Sequence, residues 1–409
     1  MTSGQADCGF MYAAKRSGSA VAYCALSIRC GTRDEKGYHS GIAHFTEHTI
    51  FKGTEKRSAA VINGYLDRLG GELNAFTTKE EIVFHATVLK EDLPKAAALL
   101  FELATSPVFP EREIETEKGV VADEIRSYKD SPSEDIYDRF EELIFEGHPL
   151  SGNILGSTAS LKRITRDELL RFVKEKFTPG RMAFSVVADI DEKKMEKDIL
   201  SLAGRYFGES RIPYAERETV PPPQAIPFSR TISKRNHQAN CIIGGLAPSL
   251  YQERERLATV LLCNILGGPA TNSILNSVLR EKYGWVYGVE CAYTQFADTG
   301  LVSISLGCDK SNIDRCLTTI EKEISKLQDS ILSPRKLKAA KKQLLGQLAI
   351  GGDNGETQCL SMGKSLLAYG RITGGKETRA MVEGITAEDI QEMAQKIFAP
   401  SRLSRLIYI

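Results

Sequence analysis

The five residues His44-Phe45-Thr46-Glu47-His48 read H-x-x-E-H. A polar loop, Thr32 to Ser40, runs up to them and Gly41 ends it. Ile42, Phe45 and Ile50 add apolar positions at near-helical spacing, so the stretch opens a helix. Residues four apart share a helix face, so His44 and His48 can aim their imidazoles at one point, with Glu47 on the same side. Two neutral imidazoles and one further ligand would hold a tetrahedral Zn²⁺ with a position open for water. The metal lowers the pKa of that water, and a nearby carboxylate can take its proton. Two His and one Glu in five residues also fit a solvated helix face, so the surrounding sequence has to decide.

The whole of Gly41-Ile-Ala-His-Phe-Thr-Glu-His-Thr-Ile-Phe-Lys-Gly-Thr54 resembles the pitrilysin (inverzincin) family of zinc metallopeptidases, and within it the two-domain members of the mitochondrial processing peptidase type. The resemblance implies a third zinc ligand well downstream, and Glu124 lies 76 residues after His48, a separation typical of the family. Glu117-Lys-Gly-Val-Val-Ala-Asp-Glu-Ile-Arg126 is similar to the family's second zinc segment, where the second acid before Ile-Arg is the ligand. Carried over, His44, His48 and Glu124 bind Zn²⁺ and Glu47 is the general base. Glu117 matches a family carboxylate that stands behind the ligands and orients one of them or the water. On a helix Glu117 and Glu124, two turns apart, share a face, while Asp123 projects about 100° away. Without the two histidines, this segment would read as a charged surface helix. Thr46 and Thr49 depart mildly from positions that are usually apolar in the family, without touching a ligand role.

Composition sets outer bounds. With 409 residues, two or more domains are expected. The 53 basic and 53 acidic residues balance, which gives no reason to propose nucleic acid or an anionic membrane as a partner. The nine cysteines are dispersed and form no C-x-x-C pair, so buried free thiols in a reducing compartment are expected. Met1 to Arg16 has neither the apolar core of a secretory signal nor an Arg-rich amphipathic pattern. No apolar stretch approaches the ~18 residues a membrane span needs. A cytoplasmic location is the expectation that follows.

Along the chain, Ser19 to Gly31 reads as a core strand and Ala59 to Leu69 as an amphipathic helix closed by Gly70-Gly71. Glu72 to Thr77 and Ile82 to Leu89 read as paired strands. Leu93 to Thr105, Pro110 to Lys129, Ser133 to Phe145 and Thr165 to Phe177 read as helices, and Met182 to Asp189 as a strand. Pro213, Pro221, Pro222, Pro223 and Pro227 cluster in a linker at 212–230. The expected division is a zinc-binding catalytic domain at 1–211 and a homologous domain at 231–409. The second part repeats the order of the first: a strand at Gln238 to Gly245, helices at Glu253 to Leu266 and Asn272 to Arg280, strands at Val286 to Thr294 and Gly300 to Cys308, a helix at Ile313 to Leu327 and a long helix after Pro334. The resemblance implies the same architecture: an α+β fold of two homologous halves, each an antiparallel β-sheet covered by α-helices.

The resemblance also assigns substrate contacts. Gly70-Gly-Glu-Leu-Asn-Ala-Phe-Thr-Thr78 is similar to the family's substrate-binding edge strand, where backbone groups near Asn74 and Ala75 would pair with an extended peptide. Leu279-Arg-Glu-Lys-Tyr-Gly-Trp-Val-Tyr287 resembles the segment that carries an Arg and a Tyr seven residues apart, here Arg280 and Tyr287, for carbonyl and oxyanion contacts. The second half has no H-x-x-E-H of its own. His39, His85, His148 and His237 lack metal-like spacing and read as structural.

The expected function is that of a zinc-dependent endopeptidase acting on unfolded peptides or short polypeptides; the resemblance implies sites shared between chains, in a homodimer or, as the alternative, a hetero-oligomer. The reading from another class is a non-catalytic regulatory or scaffold subunit; a peptide-binding chaperone is a third. The full set His44, Glu47, His48 and Glu124 separates the first from the other two.

Overall fold

Runs rich in Val, Ala, Ile and Tyr become the strands of two sheets, each covering its apolar faces with helices. The computed structural model describes residues 1–208, 220–234 and 236–409. The first sheet holds β1 (Thr2–Gln5), β2 (Met11–Arg16), β3 (Val21–Ile28), β4 (Glu72–Thr77), β5 (Ile82–Leu89) and β6 (Met182–Ala188), in the order β1-β2-β6-β3-β5-β4. The second holds β7 (Ser229–Ile232), β8 (Gln238–Ala247), β9 (Val286–Gln295), β10 (Gly300–Asp309) and β11 (Ser404–Tyr408), in the order β7-β11-β8-β10-β9. The run β6-β3-β5-β4 thus has its counterpart in β11-β8-β10-β9, which is the internal duplication in topological form. The pairings are antiparallel except β2 with β6 and β11 with β7, which are parallel. The α+β architecture of two similar halves is the expected one.

Five helices of the first half carry labels here: α1 (Ile42–Ile50), α2 (Ala59–Asp67), α3 (Leu93–Thr105), α4 (Glu111–Asp130) and α5 (Pro132–Ile144). The helix expected over Asn272 to Arg280 takes the form of a wider, π-helical turn over Asn276–Lys282. Strands β1, β2, β7 and β11 lie outside the strands read from sequence, and the helices Thr158–Leu161, Glu192–Phe207, Gly355–Tyr369, Gly375–Glu383 and Ala387–Ile397 outside the helices read from it. Of the proline-rich stretch, 212–219 lie outside the described residues, 220–228 form neither helix nor strand, and Ser229 begins β7.

The chain forms two compact units that interleave in sequence. Met1–Arg126, Gly152–Glu218 and Ile350–Thr373 make the first; Ser127–Ser151, Thr219–Ala349 and Gly374–Ile409 make the second. The contiguous boundaries 1–211 and 231–409 therefore do not coincide with the units. The reason lies in two amphipathic helices. α5 buries Ile136, Phe140 and Ile144 beside Ile242 of β8 and Leu406 and Tyr408 of β11. The helix Gly355–Tyr369 buries Cys359, Met362, Leu366 and Leu367 on Met11, Ala13, Ala25, Val83, Ala183 and Val187 of the first sheet. Its approach is close: a Cβ on Gly363 would lie 2.5 Å from Ser27 Oγ, so the helix needs glycine there.

The opposite face of the first sheet packs on α3 through a fully buried cluster that includes Phe84, Phe101 and Phe184. Truncating one such phenylalanine costs roughly 3–5 kcal/mol. All nine cysteines are buried and free, as expected. Among the described residues no helix is long and apolar enough to cross a membrane.

Candidate metal centre

α1 is short, and its start is fixed from outside. Gly41 has φ +87°, and a Cβ there would lie 2.7 Å from the Leu155 carbonyl oxygen. The Glu35 carboxylate accepts the backbone N–H of Gly41 at 2.8 Å and of Ala43 at 3.0 Å, filling two donors that a helix N-terminus leaves open. Burial nevertheless pushes the Glu35 carboxyl up to about 8, against those two bonds. Ile42, Phe45 and Ile50 face the core, and Thr49 donates to the Phe45 carbonyl at 2.6 Å. Buried Thr46 and Thr49 thus occupy helix positions away from the ligand atoms.

With that face anchored, His44 and His48 stand one turn apart, ring centroids 4.6 Å from each other and ring planes tilted by 60°. α4 buries Ile114, Val121 and Ile125, which aims Glu117 and Glu124 at the same place. Glu124 Oε2 lies 3.8 Å from His44 Nε2 and 3.5 Å from His48 Nε2. One ligand atom each from His44, His48 and Glu124 falls within 4.8 Å of the others. Asp123 points away and pairs with Arg126.

Behind the cluster, Glu117 Oε1 lies 3.0 Å from His48 Nδ1, and its other oxygen lies 2.8 Å from Lys52 Nζ. An imidazole that gives its Nδ1 proton to a carboxylate presents the lone pair of Nε2 toward Glu124. Glu47 stands beside the cluster and accepts a 2.6 Å hydrogen bond from the Thr77 hydroxyl of β4.

The electrostatics follow burial and neighbours. Burial, helped by His48, lowers His44 to about 3, so it is neutral near pH 7. For His48 burial pulls downward, but the Glu117 bond and the charges of Glu124 and Glu47 outweigh it and raise the pKa. Burial raises the Glu47 carboxyl, tempered by the Thr77 bond. Glu117 ends below the usual carboxylate range because its bonds to His48 and Lys52 outweigh burial.

These residues fit a zinc ion. The donor set is two imidazoles and a carboxylate. Among the described residues, Glu124 Oε2 is buried without a hydrogen-bond partner, between two imidazole nitrogens. A buried carboxylate oxygen left so is costly, and a cation at that point would satisfy it.

The remaining sequence candidates are carried by other elements. β4 ends the first sheet, with Asn74 in register with His85 and Ala75 with Phe84 of β5, so among the described residues no strand pairs with its outer edge. Asn74 is exposed and Ala75 half-buried against the core. Arg280 and Tyr287 belong to the second unit. Arg280 is exposed on the π-helical turn. Tyr287 is 61% exposed on β9, the edge of the second sheet, and donates to Asp309 at 2.8 Å, a bond that raises its pKa. His39 pairs with Glu168 and His85 with Glu356, both outside the cluster.

Sequence reading passed over Lys52 and Thr77. Lys52 follows His48 by four residues, the spacing that shares a helix face. Thr77 follows Ala75 by two on a strand, so it lies on the same sheet face.

Comparison with known proteins places the chain in a family. The family profile described as Insulinase (Peptidase family M16) matches residues 11–158. The profile described as Peptidase M16 inactive domain matches residues 163–344. A relative described as an uncharacterized zinc protease of Rickettsia felis is 30% identical, over 93% of this chain and 91% of its own length. An uncharacterized zinc protease of Bacillus subtilis is 28% identical over 93% of this chain and 91% of its own. The crystal structure of a protease from Helicobacter pylori shares the fold with a TM-score of 0.88 at 20% identity, covering 100% of this chain and 98% of that one. From its sequence matches and its fold together, the chain belongs to the insulinase family of zinc proteases, peptidase family M16.

Proposed function

We propose that this protein is a zinc-dependent endopeptidase that hydrolyses peptide bonds in unfolded peptides or short polypeptides. The observation that carries the reading is the convergence of His44, His48 and Glu124 within 4.8 Å, with the Glu47 carboxylate alongside. His44, His48 and Glu124 would hold Zn²⁺, and Glu117 would keep His48 in the ligating tautomer. Zinc supplies Lewis acidity, polarising the scissile carbonyl and making water acidic enough to lose a proton near neutral pH. Glu47 takes that proton on the carboxylate oxygen not held by Thr77 and later delivers it to the leaving amine.

An extended substrate would add to the open edge of β4 near Asn74 and Ala75, which favours unfolded chains over folded ones. Arg280 and Tyr287 would bind the substrate carbonyl and donate to the oxyanion. A homodimer would let the two units of different chains complete each other's sites, and two-fold dimers are the commonest oligomers. A scaffold subunit or a chaperone has no use for Glu47 beside the ligand cluster.

The test is Glu47→Gln. It should keep zinc and peptide binding while turnover of a quenched fluorescent peptide falls by at least ~10²–10⁴-fold. Near-normal turnover in that variant sinks the assignment.

A further inference from the structure

We infer that Thr77 is a positioning residue that ties the general base to the strand offered to substrate. The proposal rests on the reading of Glu47 as that base. The Thr77 hydroxyl stands 2.6 Å from Glu47 Oε2. An ionised carboxylate can only accept, so the hydroxyl donates. The separation is that of a charge-assisted O–H···O⁻ bond. Among the described residues, Thr77 is the hydrogen-bond donor to the Glu47 side chain.

What fixes the donor is the sheet, not α1. Thr77 closes β4 in register with Ile82 of β5. The next residue, Thr78, donates its N–H to the Glu81 carbonyl at 2.8 Å, and its carbonyl accepts from Thr32 at 3.3 Å. Threonine is branched at Cβ and therefore stiff at χ1. A glutamate side chain is long and rotamer-rich, and unrestrained it would sweep its carboxylate over several positions. The bond to Thr77 pins one oxygen and leaves the other free for the proton.

Asn74 and Ala75 lie on the same strand as Thr77. A peptide pairing with the open edge of β4 would steady the strand that holds the base. Binding and base alignment then share one element. The side-chain hydrogen bond of Thr77 goes to Glu47 and not to a ligand residue. Thr77 acts through Glu47.

The experiment uses the zinc-loaded full chain with a quenched fluorescent peptide, comparing Thr77→Val, Thr77→Ser and Glu47→Gln. Valine keeps the shape and removes the donor; serine keeps the donor. Thr77→Val should lower kcat by about 10- to 100-fold, the worth of one hydrogen bond to a charged group, with KM and zinc affinity unchanged. Thr77→Ser should recover most of that loss. A second readout needs no turnover: melting of the metal-free chain as Thr77→Val, Glu47→Ala and the double variant. A real contact gives non-additive shifts.

Near wild-type kcat in Thr77→Val beside an inactive Glu47→Gln overturns this proposal alone. So does a Thr77→Ser as poor as Thr77→Val, or strictly additive melting shifts. Wild-type turnover in Glu47→Gln overturns the base assignment and this proposal with it.

Discussion

Replacing Glu117 by glutamine changes one oxygen to an amide nitrogen, and the surroundings dictate where that nitrogen goes. Glu117 faces two partners, His48 Nδ1 at 3.0 Å and Lys52 Nζ at 2.8 Å. The lysine is a cation with donors only, so it will claim the amide oxygen. The amide NH₂ is then turned toward His48. It can only donate, so it forces the Nδ1 lone pair outward and the proton onto Nε2, the nitrogen that faces Glu124 at 3.5 Å. A protonated Nε2 cannot ligate. Removing an outer partner of a zinc ligand typically costs about 10- to 100-fold in metal affinity, or about 1.4–2.7 kcal/mol. Glu117→Gln should reach at least that loss, because it imposes the wrong tautomer. Glu117→Ala should lose less, because water can accept from Nδ1. Adding Lys52→Met should release the amide to turn its oxygen to His48 and restore part of the affinity. The assay is competition for zinc against a chromophoric chelator, read without substrate. Glutamine binding zinc as well as glutamate, or no recovery on adding Lys52→Met, refutes the relay from Lys52 through Glu117 to His48.

Gently purified protein should carry one Zn²⁺ per chain, and His48→Ala should abolish it; full occupancy in that variant, by metal analysis, rejects the ligand set. A proline walked through a model substrate should block cleavage where it removes a ladder donor opposite β4, since proline lacks the N–H; cleavage indifferent to the scan rejects strand addition. Glu47→Gln and Tyr287→Phe should each be weak alone and regain activity when mixed after subunit exchange. A shared-site dimer leaves one intact site per mixed pair, and no recovery after demonstrated exchange rejects it.

What was legible in the sequence is what local periodicity and local chemistry carry. His44 and His48 share a face because four residues make about one helical turn, and Glu117 and Glu124 share another because seven make two. The hairpin of β4 and β5 declared itself by alternation and a polar turn. Three things could not be read that way. The apolar face of α5 does not say which sheet it covers, and the helix Gly355–Tyr369 went unread, so contiguous boundaries were the natural expectation. The bond from Thr77 to Glu47 spans 30 residues and depends on how α1 lies on β4. Lys52 reads as one more surface cation until the position of Glu117 is known.

The interleaving of the two units has a consequence for synthesis. A ribosome makes the chain from the N-terminus, and the first sheet is finished in sequence when Ala188 emerges. The face bearing Ala13, Ala25, Val83 and Val187 still lacks its cover, which is encoded in Gly355–Tyr369. That apolar surface therefore stays bare while Thr219–Ala349, the longest segment of the second unit, is translated. At about 5–20 residues per second the exposure lasts on the order of ten to thirty seconds. A fragment ending at the proline-rich stretch would keep it bare permanently and should aggregate. Supplying 350–373 as a separate peptide should rescue it. The helix Gly355–Tyr369 is thus the element that covers the last bare face of the first sheet.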